Sequence, residues 1–318
     1  MLTAPIVLFA FNRPKHTARL IESLIQNREA AFSSLIVYLD FPRKNEDFVA
    51  VQEVKKTIIL YSDKFKNVCI TERNENYGCK RNVISGVSEV LARHRSIIVL
   101  EDDLVVGPYF LNFMNEALNT YKDVKEVYHI SGYSDITHEN SEYGAFFTRG
   151  MNCWGWATWS DRWIKLNLDV DNIKEHLSQD KIKWLNFNNN HDFFRQIEEN
   201  SVGIIKTWAI FWYASILINR GLCLEPCKTL TVNNGNDGSG ERTGAVYVRS
   251  QPNDTSIINL PSSIIECPEG LELKINAYRK QKNMAKTFIK FLIYKLPYQL
   301  QKKVMRFMIK TRGYILNQ

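Results

Sequence analysis

The feature that most constrains this chain is an apolar segment that runs directly into three consecutive carboxylates. Residues 97–100 are Ile-Ile-Val-Leu, residues 101–103 are Glu-Asp-Asp, and apolar residues resume at Leu104. Such a run predicts a central parallel strand buried on both faces. Three adjacent acidic groups repel one another and resist desolvation, so either a solvated turn or a divalent cation bound by oxygen atoms would explain them. Because ligands gather at the carboxyl ends of strands in open α/β sheets, the position suits a binding site.

Single helices separate the strands predicted in the first hundred residues. The strands are at 5–11, 35–40, 68–71 and 97–100, and the helices are at about 17–27, 45–61 and 80–94. This alternation predicts a parallel sheet with right-handed crossover connections. The second half has a different order, with helices at about 108–121 and 207–219 and strands near 127–133, 222–224 and 230–232.

Two families of glycine-rich phosphate-binding motif are absent from the sequence. No GxGxxG follows the first strand, and no GxxxxGK[ST] occurs anywhere. A bound nucleotide would therefore need a metal rather than a glycine cradle. The six cysteines include no CxxC pair, and Cys223 and Cys227 have no histidine cluster near them in the sequence. We therefore expect reduced thiols and no zinc site at that pair.

Basic residues are concentrated at the C-terminal end of the chain. Of the 41 Lys and Arg residues, 12 lie between Lys274 and Arg312, and the rest of the chain carries 29 basic and 34 acidic residues. Apolar and basic residues alternate at helical spacing over 286–312, with Pro297 between two predicted segments. This pattern is typical of an interfacial helix on anionic lipid. A helical hairpin packed on the domain is the alternative, whereas nucleic-acid binding explains only the charge.

The N-terminal sequence has no basic region of the kind that begins a signal peptide, and no apolar stretch is long enough to cross a bilayer. Together with the basic tail, these features predict a cytoplasmic protein that lies peripherally at the inner face of a membrane.

Several short segments also occur in a distinctive order. They are 11–14 (Phe-Asn-Arg-Pro), 39–40 (Leu-Asp), 76–82 (Asn-Tyr-Gly-Cys-Lys-Arg-Asn), 99–104 (Val-Leu-Glu-Asp-Asp-Leu), 108–110 (Pro-Tyr-Phe), 130–133 (Ile-Ser-Gly-Tyr), 155–159 (Gly-Trp-Ala-Thr-Trp) and 221–226 (Gly-Leu-Cys-Leu-Glu-Pro). Over roughly residues 4–245, the chain resembles GT-A-fold glycosyltransferases that use nucleotide sugars. It is most similar to the inverting N-acetylglucosaminyltransferase type and to bacterial relatives from surface-polysaccharide gene clusters.

The resemblance implies an α/β fold of the GT-A type, with a Rossmann-like, largely parallel mixed sheet and helices on both faces. The catalytic domain would span 1–266, with a donor half at about 1–106 and an acceptor half at about 107–266. A basic helical tail would occupy 267–318.

The resemblance also assigns roles on the donor side. Asp103 would ligate Mn²⁺ or Mg²⁺ that bridges the two phosphates, while Glu101 and Asp102 would face the ribose and the donor sugar. Arg13 would approach the ribose or phosphate, and Asp40 would accept a hydrogen bond from uracil. The alternatives are a solvated Arg13 and a turn carboxylate at Asp40.

Three further donor contacts are implied at the start of the helix predicted at about 80–94. Lys80, Arg81 and Asn82 would contact the diphosphate or the uracil, because helix N-termini favour anions.

The catalytic base is where the sequence departs from the family pattern. An inverting transferase needs a carboxylate to deprotonate the acceptor hydroxyl. Relatives carry Asp beside a Trp that opens a later helix, but residues 206–209 here read Lys-Thr-Trp-Ala. The candidates are Asp135, Asp237 and Glu241, with Asp237 preferred because its glycine-rich loop could close over the donor. Relatives also often place a histidine near the position of Arg242 to assist the metal, and this sequence has none there.

All seven tryptophans lie between 154 and 212, and we expect most of them in the core. Trp156 or Trp208 would form a stacking wall for the acceptor sugar. The function predicted is a metal-dependent inverting glycosyltransferase that moves a sugar from a nucleotide sugar, with UDP preferred, to a lipid-linked oligosaccharide in bacterial surface-polysaccharide (O-antigen) biosynthesis. The alternatives are a nucleotidyltransferase-like enzyme and a non-catalytic membrane-bound member of the same fold.

Overall fold

The computed structural model describes residues 3–139, 141–235, 251–256 and 259–281, together with residues 297, 300, 303 and 304. The strands are β1 (Ile6–Ala10), β2 (Ser34–Leu39), β3 (Asn67–Glu72), β4 (Ser96–Glu101), β5 (Leu104–Val106), β6 (Val127–Ser131), β7 (Ala145–Thr148), β8 (Trp156–Trp159), β9 (Leu222–Pro226) and β10 (Thr231–Asn233). The helices are α1 (Pro14–Leu24), α2 (Asn45–Leu60), α3 (Gly78–Leu91), α4 (Phe110–Thr120), α5 (Ser160–Trp163), α6 (Val170–His176), α7 (Gln179–Leu185), α8 (Phe194–Ser201), α9 (Ala209–Ile218) and α10 (Pro268–Gln281).

Eight of the described strands form one mixed sheet in the order β3-β2-β1-β4-β8-β6-β9-β7. The first four strands are parallel, as the alternating pattern predicts. In the second half, β8 runs antiparallel to both β4 and β6, and β7 runs antiparallel to β9. The predicted α/β fold class with a mixed, largely parallel sheet is therefore confirmed.

The core lies on both faces of this sheet, and β4 shows how one strand serves both. Ile98 and Leu100 are buried with α1, α2 and α4 on one face. Ile97 and Val99 are buried with α3 and α9 on the other face. Because successive side chains in a strand point to opposite faces, a continuous apolar run is what a strand covered on both sides requires.

The apolar residues after the acidic triplet form a separate strand. β4 ends at Glu101, the chain turns at 102–103, and β5 pairs antiparallel with β10 in a two-stranded sheet. Leu104 pairs with Asn233, so this small sheet brings the end of β10 to the acidic turn.

The predicted basic tail is only partly described. Its first helix, α10, contributes Ile275 to a cluster with α6–α9 and packs against β7. Ile275 of α10 is therefore part of the described core, and the domain boundary predicted at 267 stays a prediction. Residues 282–296 and most residues after 297 lie outside the described part, so the two predicted amphipathic helices stay predictions. Among the described residues, no helix is long and apolar enough to cross a membrane.

Candidate functional site

The candidate site lies at the carboxyl ends of the neighbouring parallel strands β1 and β4. Arg13 follows β1 and Asp102 follows β4, and Phe9 pairs with Glu101 in the register of these strands. Arg13 Nη2 lies 2.5 Å from Asp102 Oδ1, and the backbone N–H of Phe11 donates to Asp102 Oδ2 over 3.1 Å. With only 4% of its side chain exposed, Asp102 acts as a buried partner that orients Arg13.

Asp103 is the more accessible neighbour in the same turn, with 17% of its side chain exposed. Its Oδ2 lies 3.2 Å from Arg13 Nη2, so one guanidinium nitrogen contacts both aspartates. The backbone N–H of Asn234 donates to the Asp103 carbonyl over 2.8 Å and fixes the end of β10 beside the turn. A Cβ atom on Gly235 would lie 2.6 Å from Asp103 Oδ2 and 3.0 Å from Arg13 Nη1. Only glycine fits this approach without displacing the charged groups.

The acidic triplet holds more negative charge than Arg13 can balance. Burial, together with the charges of Asp103 and Asp102, raises the pKa of Glu101 to about 8. Burial also raises the pKa of Asp102 to about 6, although the Arg13 charge opposes this shift. Carboxylate oxygens with excess negative charge are the ligands that a hard divalent cation prefers.

Asp40, the residue predicted to contact uracil, accepts hydrogen bonds from the turn before α3. Its carboxylate accepts from the backbone N–H groups of Phe41, Tyr77 and Gly78 over 2.8–2.9 Å, and from the Asn76 side chain over 3.3 Å. Because a carboxylate accepts about four hydrogen bonds, these donors saturate it. In the structure Asp40 holds the turn that leads into α3, as in the turn-carboxylate alternative, and its contact with uracil stays a prediction.

Asn82, also predicted to contact the donor, is buried beside Arg73 in the structure, and its ligand contact stays a prediction. It is 4% exposed, and its Oδ1 accepts from Arg73 Nε over 2.9 Å. Lys80 and Arg81 stay accessible at the start of α3. The Lys80 ammonium lies 4.0 Å from the Phe211 ring centroid, and burial lowers its pKa. Arg81 is exposed, stacks on Tyr77 and pairs with Glu75 over 2.6 Å.

Asp135 belongs to a buried ionic cluster. Its Oδ1 pairs with Nζ of Lys274, which also lies 2.8 Å from Glu225 Oε2. Burial alone would raise the pKa of Asp135, but the Lys274 ammonium outweighs it and the pKa is lowered. Ser134 and Asn152 donate to Glu225 over 2.6 and 3.3 Å. Asp135 is thus ionised and held in place, with 16% of its side chain exposed.

The sequence did not identify Lys274 as part of this cluster, although a signal for it exists. Lys274 lies on the same face of α10 as Leu271, Ile275 and Tyr278, because these four residues follow the i, i+3, i+4, i+7 spacing of one helical face. A lone lysine in such a stripe indicates a buried cation with a carboxylate partner.

Most of the tryptophans are buried in the core, as expected. The prediction that Trp156 or Trp208 forms a stacking wall for the acceptor sugar is wrong. Trp156 and Trp208 are 0% and 3% exposed and stack on each other with centroids 5.2 Å apart. Neither can reach a sugar. The partly exposed aromatic pair is Trp154 and Tyr133, with ring centroids 4.4 Å apart. The Trp154 carbonyl accepts from Thr231 of β10, which links this pair to the strand that ends beside Asp103.

The other two base candidates, Asp237 and Glu241, lie outside the described residues, as does the neighbouring Arg242. The described segment that contains β10 ends at Gly235, beside the acidic turn.

No protein-family model matches the sequence, and no curated protein matches it. Among solved structures, TarS of S. aureus is similar with a TM-score of 0.33 and 11% identity, over 44% of this chain and 24% of TarS. UDP-glucose pyrophosphorylase, solved with UDP-glucose, is similar with a TM-score of 0.30 and 11% identity, over 51% of this chain and 79% of that one. The chain thus spans about a quarter of TarS. Scores this low do not assign a function, which has to be argued from the geometry.

Proposed function

We propose that the protein is a metal-dependent inverting glycosyltransferase that moves a sugar from a UDP-sugar to a lipid-linked oligosaccharide in bacterial surface-polysaccharide biosynthesis. The observation that carries the proposal is the contact of Arg13 with both Asp102 and Asp103 at the shared carboxyl ends of β1 and β4. A cation and carboxylates on one sheet edge are the groups that a metal diphosphate requires.

In this proposal Asp103 is the ligand of Mn²⁺ or Mg²⁺, because it is the more exposed aspartate of the turn. The bound ion would neutralise charge on the departing diphosphate. Asp102 keeps Arg13 directed at the phosphate side, and Glu101 faces the ribose or the sugar. Lys80, half-buried on α3, supplies a second positive charge near the diphosphate.

On the acceptor side, Trp154 and Tyr133 offer ring faces on which a sugar can stack. A carboxylate takes the proton of the acceptor hydroxyl as that oxygen attacks the anomeric carbon and the C–O bond to UDP breaks. Asp237 is the preferred base because it follows Gly235 in sequence by two residues. Asp135 is the described alternative, ionised by its pairing with Lys274, and Glu241 is the third.

The proposal is tested by incubating the protein with a panel of UDP-sugars, Mn²⁺ and lipid-linked oligosaccharide acceptors, with and without pyrophosphate. Release of UDP with an inverted sugar product supports it. Formation of UTP and a sugar 1-phosphate from pyrophosphate would indicate a nucleotidyltransferase instead. Binding of UDP without turnover of any sugar would favour the non-catalytic alternative. Asp237→Asn, Glu241→Gln and Asp135→Asn then identify the base, since its loss lowers kcat far more than KM.

The membrane part of the proposal rests on the 12 basic residues from Lys274 to Arg312. We expect the full chain to sediment with vesicles that contain anionic lipid and to stay in solution with neutral vesicles, with high salt reversing the binding. Equal sedimentation with both vesicle types would remove the electrostatic basis of this proposal.

A further inference from the structure

Three side chains of metal-binding type converge where α10 meets the segment after β6. His138 lies 129 residues before Cys267, which immediately precedes α10, and Glu269 lies in its first turn. Cys267 Sγ lies 3.6 Å from His138 Nε2 and 3.4 Å from Glu269 Oε2. The three ligand atoms all lie within 4.8 Å of one another.

The two separations from Cys267 Sγ match those of ligands around a tetrahedral zinc ion. With Zn–S near 2.3 Å and Zn–N or Zn–O near 2.0 Å, ligand atoms in such a site lie about 3.5 Å apart. Imidazole, thiolate and carboxylate are the donors that zinc accepts. We propose that His138, Cys267 and Glu269 form a metal site for Zn²⁺ or a similar thiolate-binding ion, separate from the acidic triplet.

The backbone already holds this cluster in position. The His138 N–H donates to the Cys227 carbonyl over 2.9 Å, and the Cys267 N–H donates to the Phe147 carbonyl of β7 over 2.8 Å. The Phe146 ring packs edge-on against the His138 ring, with centroids 5.6 Å apart. Ligands anchored by neighbouring strands lose little conformational freedom when they bind an ion.

The exposure of the three ligands indicates a metal site that is open to solvent on one side. His138 is 8% exposed, Cys267 is intermediate and Glu269 is exposed, so one side of the cluster opens to solvent. Water would complete the coordination on that side. The ion would fasten the first turn of α10 to the β6–β7 connection, and α10 carries Lys274 to its partners Asp135 and Glu225. The role inferred is therefore to secure α10, and it does not depend on the proposed transferase activity.

The experiment is a titration of the metal-free full-length protein with Co²⁺, followed by Zn²⁺. We expect a thiolate-to-cobalt charge-transfer band that saturates at one equivalent of Co²⁺ bound at this site, and Zn²⁺ should remove it because Zn²⁺ binds more tightly. Cys267→Ser should abolish the band, and His138→Gln should weaken Co²⁺ binding about tenfold or more. Cys69→Ser, an exposed thiol on β3, is the matched control and should retain the band. Cys79→Ser should also retain it, which separates this site from the acidic triplet near Cys79.

A second measurement needs no variant and so does not depend on the folding of a mutant. In the wild-type protein, Zn²⁺ should protect Cys267 from alkylation while leaving Cys69 reactive. Zn²⁺ should also raise the midpoint of thermal unfolding, because it binds only the folded arrangement. A wild-type protein without the charge-transfer band, or equal alkylation of Cys267 with and without Zn²⁺, would overturn the proposal.

Discussion

Arg13 and Asp102 form an ion pair across the carboxyl ends of β1 and β4, with Nη2 and Oδ1 2.5 Å apart. The same nitrogen lies 3.2 Å from Asp103 Oδ2, so the two adjacent aspartates compete for the Arg13 guanidinium. The contact of Arg13 with the buried Asp102 is the shorter of the two. The more exposed Asp103 therefore has the weaker contact with Arg13. The two residues should therefore respond differently to substitution.

Asp102→Asn should lower the free energy of unfolding by about 2 kcal/mol, because it removes the charged partner of a largely buried guanidinium. Asp103→Asn should change that free energy by less than about 1 kcal/mol, because it also relieves repulsion within the triplet. Urea unfolding measures both. Asp63→Asn, a substitution at a surface carboxylate that is 68% exposed, is the control. Equal losses in the two variants would contradict the division of roles.

Gly235→Ala should impair ligand binding without unfolding the protein. The added Cβ would lie 2.6 Å from Asp103 Oδ2, so either the β10 end or the carboxylate has to move. Gly235 is not among the described glycines with a left-handed φ, so backbone strain does not complicate the test. We expect a loss of Mn²⁺-dependent UDP affinity of at least about tenfold, equivalent to about 1.4 kcal/mol, with the thermal midpoint changed little. Unchanged affinity would mean that the close contact of Gly235 with Asp103 is not needed for ligand binding.

Lys274→Met should cost about 3 kcal/mol of stability, because it leaves two carboxylates without their buried cation. Lys280→Met, at an exposed position of the same helix, should be nearly neutral. Glu225→Gln should be costly in the wild-type background but close to neutral in Lys274→Met. This cycle should give a coupling energy of at least about 1 kcal/mol. Additive effects would show that Lys274 and Glu225 do not depend on each other.

His129 should make stability depend on pH. Burial lowers its pKa to about 4, although the Asn152 carbonyl opposes this shift. The side chain is neutral in the native state, since Trp212 Nε1 donates to its Nδ1 over 3.2 Å. Between pH 6.5 and 4 the unfolded chain binds more protons than the folded one, so stability falls as the pH falls.

The expected loss from this one group is up to about 3 kcal/mol between pH 7 and pH 4. His129→Gln should be less stable at neutral pH but should show a shallower decline over the same range. Denaturant titrations at several pH values measure both slopes. Parallel slopes for the two proteins would exclude His129 as the titrating group.

The sequence predicts the α/β class and the position of the acidic site because both follow from local pattern. A β4 segment that is apolar at every position has to be covered on both faces, and its carboxylates then fall at the sheet edge. Local pattern does not distinguish Asp102 from Asp103, and only the family resemblance assigns the metal to Asp103. In the structure the two identical side chains differ in how closely each contacts the Arg13 guanidinium.

Other roles depend on tertiary contacts that no spacing reveals. The family resemblance makes Asp40 a ligand contact, but in the structure its carboxylate accepts three hydrogen bonds from residues 76–78 and one from the Phe41 N–H. Trp156 and Trp154 lie two residues apart, yet one is buried in β8 and the other is partly exposed just before it. The convergence of His138 with Cys267 depends in the same way on how α10 returns to the sheet.

The central claim is a metal-dependent nucleotide site at the acidic turn, and calorimetric titration of the full-length protein with UDP tests it most directly. The wild-type protein is titrated with and without Mn²⁺, and the Asp103→Asn variant is titrated with Mn²⁺. We predict binding in the micromolar range that requires Mn²⁺ and is lost in the variant, while Asp63→Asn binds like wild type. Binding that is unaffected by Mn²⁺ and by Asp103→Asn, or no binding under any condition, would contradict the claim.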